Sequence, residues 1–416
     1  MSQYLPRVAD KMLGESLQAA GAVLIEGPKA CGKTSTASQR AATVVRLDED
    51  ANARAAIASV PDLLFSGPIP ILFDEWQTEP RLWNLIRRHV DDRQQQGQFI
   101  LTGSATPRDD VNRHSGAGRF AVLRMRPMTL YESGHSTGEV SFAALLAGEP
   151  QQAQSAPLDV PDLAERIVIG GWPTLVNASV PQAQRWLRDY IRNMVEVDIP
   201  ALGHRRAPAN LNRLMRSLSR SVGQDPKLSE LQKDVAGETG PVAFETLAGY
   251  LQSLDRLMLT DNSEAWPTHM RSRTRLRTAP VRYFVDPALA TSALGVGPRQ
   301  LLGDLKAMGF HFEALAVRDL RVYAETEGGQ VYSWRDANGN EVDAIVSAPD
   351  GRWAAFEIKL NPDDTDDAAA SLLRFAGNVE TSRAGEPSAL AVITSTGYGY
   401  RRPDGVNVIP ISTLGP

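Results

Sequence analysis

The chain has 416 residues, of which 42% are hydrophobic and 22% are charged, and its formal net charge at pH 7 is -5. This length and apolar content exclude a disordered protein and predict two or three domains. A slightly acidic chain has no overall attraction for nucleic acid, so such binding would need a local basic patch. The single cysteine, Cys31, excludes an intrachain disulfide and a cysteine-based zinc cluster, and it fits a reducing compartment.

The amino-terminal residues carry no targeting signal that we can identify. They read MSQYLPRVADKMLGESLQ, with scattered charges and no apolar core of a signal peptide. No later stretch approaches the roughly 18 uncharged apolar residues that a membrane-spanning helix needs. We therefore expect a cytoplasmic protein without a membrane span.

Short apolar runs alternate with helix-like stretches between residues 21 and 126. This alternation is typical of a parallel sheet covered by helices. The runs predicted to be strands are Ala22–Ile25, Val44–Leu47, Ile69–Phe73, Phe99–Leu101 and Phe120–Met125. We therefore predict an α/β domain over residues 1–148.

The segment GPKACGKT follows the first predicted strand and precedes a helix-compatible run, and it matches the P-loop pattern G-x-x-x-x-G-K-[ST]. Its glycines allow backbone N–H groups to surround phosphates, Lys33 can reach the β- and γ-phosphates, and the Thr34 hydroxyl can ligate Mg²⁺. Cys31 is expected to be a small filler in this loop. The predicted ATP-binding residues are Gly27, Pro28, Lys29, Ala30, Cys31, Gly32, Lys33, Thr34 and Ser35.

The third predicted strand ends in two carboxylates, Asp74 and Glu75. We expect Asp74 to hold Mg²⁺ together with Thr34, and Glu75 to polarise the water that attacks the γ-phosphate. A second acid directly after the first favours an ATPase over a protein that only binds ATP. The alternative interpretation is an ordinary acidic pair at the end of a strand.

Polar residues around the next two strands can complete the nucleotide site. Thr102 and Ser104 lie where a polar side chain often contacts the γ-phosphate, although Thr-Gly-Ser is also ordinary turn chemistry. Arg119 directly precedes the last strand of the domain and can act as an arginine finger, in the same subunit or across an interface. The alternative is a solvated arginine. A finger that acts across an interface would require a homo-oligomer.

The middle of the chain has a different pattern. Residues 149–161, EPQQAQSAPLDVP, contain three prolines and little apolar periodicity, and we predict that they form a linker. Helical periodicity dominates from residue 162 to about residue 260, so residues 162–294 are predicted to form a mostly helical domain. Its segment Leu228–Leu259 reads as helix, turn and helix, which is compatible with a winged helix.

Four arginines recur at every second position after that segment: Arg271, Arg273, Arg275 and Arg277. On a strand they would project from one face about 6.8 Å apart. A DNA backbone is one partner compatible with this spacing. A charged edge strand that resists pairing, or an interdomain ion-pair face, is an equally good interpretation.

Strands are predicted again in residues 295–416, which we expect to form a second α/β domain. Asp343 lies on one predicted strand, and Glu357 and Lys359 share one face of the next. Two carboxylates and a lysine in this arrangement can hold Mg²⁺ against a phosphodiester, with Lys359 acting on water or on developing charge. Glu313, on the preceding helix, can complete the acidic cluster. Glu and Lys two residues apart also commonly mark a strand that simply faces solvent.

Several short motifs along the chain resemble one family. They are GPKACGKT, ILFDEWQ, ILTGS, GAGRF followed by MRPMTLYE, GGWP, WRDANGNEVD and FEIK. In combination they resemble the bacterial and archaeal AAA-type ATPases that carry a C-terminal DUF4143 region. The resemblance implies an AAA-like core with strand order 5-1-4-3-2, a winged-helix middle domain and a tail similar to the PD-(D/E)xK nucleases, with a restriction-endonuclease-like fold.

The resemblance also implies roles for particular residues. It favours Arg119 as an arginine finger, and it supports Asp343, Glu357 and Lys359 as the positions of a nuclease fold. Members of the family usually have arginine where this chain has Lys29, which keeps the charge but loses two-pronged geometry. We therefore predict an ATP-hydrolysing, DNA-associated protein. The alternative is an ATP-switched regulatory or protein-binding module with an inert nuclease fold.

Overall fold

The structure, a computed structural model, describes residues 4–103, 115–154, 157–201, 207–236, 242–267, 278–336 and 338–416. Contacts divide the chain into two compact units. The first unit comprises residues 1–127 and 256–258, and the second comprises residues 128–255 and 259–416.

The first unit contains a five-stranded parallel sheet. Its strands are β1 (Ala22–Glu26), β2 (Thr43–Arg46), β3 (Ile71–Asp74), β4 (Phe99–Gly103) and β5 (Phe120–Arg124). The observed order, 5-1-4-3-2, confirms the strand order implied by the family resemblance. The central strands are buried almost along their whole length, as expected where helices cover both faces.

Helices cover the two faces of this sheet. They are α1 (Val8–Ala19), α2 (Lys33–Ser38), α3 (Ala51–Ser59) and α4 (Arg81–Arg93), with short 3-10 turns at Pro61–Phe65 and Trp76–Thr78. Alternate residues of β1 enter different cores, because successive side chains of a strand point to opposite faces. Leu24 packs in one core with Ile86 of α4, and Ile25 packs in the other with Leu13 of α1.

The second unit begins with a predominantly helical part, as predicted for the middle of the chain. Its helices are Phe142–Leu146, Val160–Ile169, Val180–Asn193, Ile199–Ala201, Pro208–Arg220, Leu228–Ala236, Phe244–Arg256, Pro287–Leu294 and Pro298–Gly303, with a π-helical stretch at Met194–Asp198 and a 3-10 turn at Pro173–Leu175. Isolated bridges pair Thr260 with Phe284 and Ser263 with Val281. The arginine run at residues 271–277 lies outside the described residues, and the winged helix stays a prediction.

The carboxyl-terminal part is a six-stranded mixed sheet with helices. Its strands are β7 (Gln330–Arg335), β8 (Glu341–Ser347), β9 (Trp353–Lys359), β10 (Ala389–Thr394), β11 (Tyr400–Arg401) and β12 (Asn407–Pro410), in the order 11-12-10-9-8-7. β8 is antiparallel to β9, whereas β10 is parallel to β9. The helices are Leu305–Thr326, Thr365–Asn378 and Thr381–Ala384, with 3-10 turns at Pro362–Asp364 and Ile411–Thr413.

The residues after Pro127 belong to the second unit rather than to the first. The short strand β6 (Val140–Ser141) pairs in parallel with β13 (Leu414–Gly415), and the Thr137 N–H donates to the Ser412 carbonyl at 2.9 Å. The predicted first domain, 1–148, therefore extends past the contact boundary, and the predicted linker, 149–161, already contains the start of the helix Val160–Ile169. These differences arise because hydrogen bonds to the far end of the chain are not visible in local composition.

Candidate functional site

The phosphate loop connects the carboxyl end of β1 with α2. Gly32, directly before α2, has a φ of 106°, a conformation that glycine adopts without steric cost. A Cβ atom at Gly27 would lie 2.4 Å from the Met125 carbonyl oxygen. Backbone geometry therefore requires glycine at both glycine positions of the motif.

Lys33 folds back over the phosphate loop. Its Nζ atom donates to the carbonyl oxygens of Gly27 and Pro28, both at 2.9 Å, and its side chain is buried. These acceptors are neutral carbonyl groups, and charged acceptors make stronger bonds to an ammonium group. A phosphate that enters the loop can therefore compete for Lys33.

The residues predicted to hold Mg²⁺ lie together. Thr34 Oγ1 donates to Asp74 Oδ1 at 2.8 Å, and the Thr102 hydroxyl donates to the same carboxylate oxygen. Asp74 and Thr102 are paired across β3 and β4 and are both buried. Hydroxyl and carboxylate oxygens are ligands that Mg²⁺ prefers, so this donor set fits the ion. Ser104, the other predicted sensor, lies outside the described residues.

Glu75 leaves the strand in an unusual backbone conformation. It has a positive φ of 53° and directly precedes the 3-10 turn Trp76–Thr78. The Gln77 side-chain amide donates to Glu75 Oε2, and Thr78 Oγ1 donates to the Glu75 carbonyl oxygen at 2.9 Å. Gln77 could not be predicted as a site residue from the sequence, because a glutamine in a turn carries no distinctive pattern by itself.

Arg119 lies at the amino ends of the parallel strands, whereas the phosphate loop follows the carboxyl end of β1. β1 and β5 are parallel with Ala22 opposite Phe120, so Arg119 lies beside the amino end of β1. The loop follows the carboxyl end of β1, roughly 20 Å away along the strand at about 3.3 Å per residue. This distance exceeds the reach of an arginine side chain. An arginine finger that acts across an interface and a solvated arginine are the two interpretations compatible with this position, and the finger role stays a prediction.

Within its own chain, Arg119 is paired with Asp91 at the end of α4. The Arg119 Nε to Asp91 Oδ1 distance is 2.8 Å, and the two side chains are 39% and 38% exposed. The hydrogen bond from Arg119 lowers the pKa of the Asp91 carboxyl. Arg87 also contacts Asp91, at 3.4 Å. A partly exposed ion pair of this kind contributes little stability, so Arg119 can leave it for another anion.

The segment before α1 supports the phosphate loop, and the sequence analysis did not identify it. The buried guanidinium of Arg7 donates to the carbonyl oxygens of Cys31 and Arg126, both at 2.8 Å. The Tyr4 hydroxyl lies 3.0 Å from the Thr36 hydroxyl of α2. A lone arginine before a helix has no motif that could have predicted these contacts. Cys31 itself is fully buried among apolar side chains.

In the carboxyl-terminal domain, the structure brings together Asp343, Glu357 and Lys359. The Lys359 Nζ atom lies 2.6 Å from Glu357 Oε2 and 3.6 Å from Asp343 Oδ2. Asp343 Oδ2 also accepts a hydrogen bond from the Ile358 N–H at 2.7 Å. The ammonium group therefore lies between the two carboxylates.

Glu313, on the helix Leu305–Thr326, belongs to the same cluster. Its Oε1 atom accepts a hydrogen bond from the buried hydroxyl of Tyr283, a residue that the sequence analysis missed. Gly223 leaves room for this carboxylate, because a Cβ atom there would lie 3.0 Å from Glu313 Oε1. Tyr283 could not be identified from the sequence, since its contact depends on the packing of distant segments.

Burial determines the ionisation of this cluster. Burial, reinforced by the nearby Asp343 charge, raises the pKa of Glu357 to about 8 and that of Glu313 well above its usual value. Burial also raises the pKa of Asp343. Burial opposes the charge on Lys359, but the charges of Asp343 and Glu357 raise its pKa overall. The cluster therefore favours a shared proton together with a charged lysine.

The cluster opens into a cavity of about 560 Å³. Its polar lining includes Glu313, Glu341, Asp343 and Lys359. Its apolar part is lined by Val160, Leu305, Phe310, Leu360 and Pro362. A cavity of this volume is within the range of small-ligand sites.

Among the residues that the structure describes, no three His, Cys, Asp or Glu side chains are grouped closely enough to hold a metal ion. In the same described part of the chain, no helix has the length and apolar character needed to cross a membrane.

Comparison with known families assigns most of the chain. Residues 19–133 match an AAA domain, residues 160–300 match a domain of unknown function (DUF8612), and residues 308–414 match a domain of unknown function (DUF4143). The DUF8612 match covers the region that we predicted to be the middle domain.

The chain is also similar to individual proteins. Uncharacterized proteins of Mycobacterium tuberculosis and Mycobacterium bovis are each 26% identical over 358 residues, which is 85% of this chain and 73% of each relative. A Walker-type ATPase of Pyrococcus abyssi has a structure with 16% identity and a TM-score of 0.42, covering 68% of this chain and 94% of that chain.

The AAA match coincides with the parallel sheet and with the phosphate loop that follows β1. The DUF4143 match coincides with the long helix Leu305–Thr326 and the six-stranded sheet that follows it. The chain therefore contains an AAA domain with a P-loop and a C-terminal DUF4143 region.

Proposed function

We propose that this chain hydrolyses ATP with Mg²⁺, associates with DNA and carries a metal-dependent phosphodiesterase site in its carboxyl-terminal domain. The ATPase part is supported by one observation above all. Thr34 and Thr102 both donate to Asp74 Oδ1 at the sheet edge that carries the phosphate loop. A P-loop hydroxyl and a strand-end carboxylate in contact are the two protein groups that such a magnesium site needs.

The residues of the first site then have distinct roles. Lys33 leaves the carbonyl oxygens of Gly27 and Pro28 and binds the β- and γ-phosphates. Thr34 and Asp74 would hold Mg²⁺, which would neutralise phosphate charge. Glu75 accepts the proton of the attacking water.

Two substitutions separate ATP binding from hydrolysis. Glu75→Gln should bind ATP with nearly normal affinity but hydrolyse it at least about tenfold more slowly, because it lacks the base. Lys33→Ala should lose ATP binding itself. Equilibrium binding and steady-state phosphate release measure the two effects, with Lys11→Ala on the exposed surface of α1 as the control. Normal turnover in Glu75→Gln would contradict the role of this residue.

The phosphodiesterase part is supported by the cluster in the 560 Å³ cavity. Asp343 and Glu357 supply carboxylate oxygens that suit Mg²⁺, and Lys359 supplies a positive charge beside them. DNA is the proposed substrate because such a site acts on phosphodiesters. The arginine run at residues 271–277 is the basic segment from which we expect backbone contacts.

Metal-dependent cleavage tests this part of the proposal. Cleavage of single-stranded, duplex or branched DNA should require Mg²⁺ or Mn²⁺ and should be lost in Asp343→Ala and Glu357→Ala. Lys359→Ala should lose cleavage but keep metal binding, because its ammonium acts on water or on developing charge. Asp343→Ala should retain full ATPase activity, which serves as its folding control.

A second candidate function is an ATP-switched regulatory protein with an inert tail. The observation that favours it is the position of Lys359 Nζ between Asp343 and Glu357, where it already compensates both carboxylates. A metal ion would have to displace this ammonium. Isothermal titration that detects no Mg²⁺ or Mn²⁺ binding dependent on Asp343 and Glu357 would favour this second function.

A further inference from the structure

A buried side-chain oxygen beside Glu75 has no hydrogen-bond partner among the residues that the structure describes. The Gln77 Nε2 atom donates to the Glu75 carboxylate, so the nitrogen end of this amide is occupied. The other end, Oε1, is buried, and no residue in the described part of the chain donates to it. Leaving a buried acceptor unsatisfied costs roughly 1–3 kcal/mol. This cost calls for a donor that arrives in the working state.

The unpartnered oxygen lies at the carboxyl ends of the strands, where the phosphate loop begins. A Cβ atom placed on Gly103 would lie 2.5 Å from Gln77 Oε1, which locates this oxygen beside the end of β4. Gly103 is paired with Glu26 of β1, the residue directly before Gly27. Gln77 Oε1 and the phosphate loop therefore lie at the same end of two neighbouring strands.

We propose that Gln77, acting with Glu75, orients the water that attacks the γ-phosphate. The donor that satisfies Gln77 Oε1 is this water, and the Glu75 carboxylate accepts its other proton. A water that donates to two fixed acceptors has its oxygen lone pair directed away from both of them. An amide oxygen is suited to this task because it accepts a hydrogen bond without competing for the proton.

This inference rests on the proposed ATPase reaction. In the step, the water oxygen bonds to the γ-phosphorus, and the bond from that phosphorus to the bridging oxygen of ADP breaks. The proton that the water loses goes to the Glu75 carboxylate. The products are ADP and inorganic phosphate, and Gln77 is unchanged.

Gln77→Leu tests the proposal in the full-length chain, because leucine fills similar space without a polar group. The expected result is a kcat roughly 10- to 100-fold lower with unchanged affinity for ATP, since the lost contact is to water and not to nucleotide. Steady-state hydrolysis and equilibrium binding of ATP with Mg²⁺ provide the two measurements. An unchanged or raised kcat would overturn the proposal.

Gly103→Ala supplies a second, independent variant. Its new methyl group would meet Gln77 Oε1 at 2.5 Å and must displace the flexible amide. We expect kcat to fall in the same direction as in Gln77→Leu, with ATP binding retained. If Gln77→Leu fails to fold, this variant alone decides the outcome.

The chain contains a matched control in Gln98. The Oε1 atom of this fully buried glutamine also has no hydrogen-bond partner among the described residues. Gln98, however, directly precedes the amino end of β4, at the opposite end of the strands. Gln98→Leu should change stability without lowering the kcat of the folded protein. Equal losses of kcat in Gln77→Leu and Gln98→Leu would overturn the proposal, because they would show a general packing effect.

Glu75→Gln separates this inference from the proposed function. Full turnover in Glu75→Gln would contradict the proposed ATPase mechanism and, with it, the role of Gln77. Full turnover in Gln77→Leu, beside a slow Glu75→Gln, would overturn only the role of Gln77.

Discussion

The two candidate sites of this chain each combine a lysine with carboxylates, but they arrange these groups differently. Lys33 donates to two neutral carbonyl oxygens, and Asp74 accepts from two hydroxyls. Lys359 instead lies between two carboxylates, at 2.6 and 3.6 Å. The first lysine is held by weak acceptors that phosphate can replace, whereas the second is held by charged acceptors that bind it more strongly.

This difference shows that the same residue types can require different amounts of rearrangement before a ligand binds. In the first site, opposite charges are kept apart until nucleotide and metal arrive. In the second, the charges already compensate each other in a buried position, where breaking an ion pair is costly. We therefore expect ATP binding to need little rearrangement and metal binding in the tail to need movement of Lys359.

The largest expected effect is that of replacing Arg119. A large loss of turnover would show that the ATP site of one chain needs a residue from a second chain. Because Arg119 lies at the amino ends of the strands, far from the phosphate loop of its own chain, we predict that it contacts the nucleotide of a partner chain. Arg119→Ala should lower ATP turnover about 1,000-fold without loss of ATP binding, which is the effect typical of an arginine finger. Arg88→Ala, on the exposed surface of α4, is the control.

Mixing two inactive variants tests the position of Arg119 directly. Glu75→Gln retains Arg119, and Arg119→Ala retains Glu75, so mixed oligomers contain some complete interfaces. Turnover in the mixture should exceed that of either variant alone. No recovery in an oligomer that exchanges subunits would contradict action across an interface.

A second prediction compares the two lysines by their effect on stability. Lys359→Met should lower the unfolding free energy by roughly 3–5 kcal/mol near neutral pH, because it leaves the remaining negative charge of the buried Asp343–Glu357 pair without a positive partner. Without ATP, Lys33→Met should cost only about 1 kcal/mol, since it removes hydrogen bonds to neutral carbonyl groups. Denaturant unfolding monitors both variants. Equal effects would contradict the distinction between the sites.

The smallest expected effect is a change in pH dependence. The pKa of Glu357 is raised to about 8 in the folded protein, so its contribution to stability is present below its ordinary pKa near 4.5. That contribution is lost as the pH rises through about 8. Between these pH values, the unfolding free energy of Glu357→Gln should fall by roughly 1–3 kcal/mol less than that of the wild type, because glutamine does not titrate.

An exposed carboxylate provides the control for the pH measurement. Glu386→Gln changes the same chemical group at an exposed position and should leave the pH dependence of the wild type intact. A Glu357→Gln profile that coincides with the wild-type profile would show that Glu357 does not bind an extra proton in the folded state.

The phosphate loop and the sheet around it could be predicted from the sequence because their determinants are local. Eight consecutive residues contain the loop, and each strand is a short, mostly apolar run. The five strands form at the predicted places, in the order 5-1-4-3-2. In the tail, the two-residue spacing of Glu357 and Lys359 sufficed to predict that both side chains lie on one face of a strand, because successive side chains point to opposite faces.

The sequence by itself therefore determined which residues form the phosphate loop, which strand ends carry Asp74 and Glu75, and that two α/β regions flank a helical middle. Only the tertiary structure decided that Arg119 lies at the amino ends of the strands and that Tyr283 bonds to Glu313. It also decided that Gln77 Oε1 has no partner within the described ranges. It also assigned the residues after Pro127 to the second unit. The physical reason is that hydrogen bonds and ion pairs between distant segments depend on how strands and helices pack, which the periodicity of a single segment does not specify.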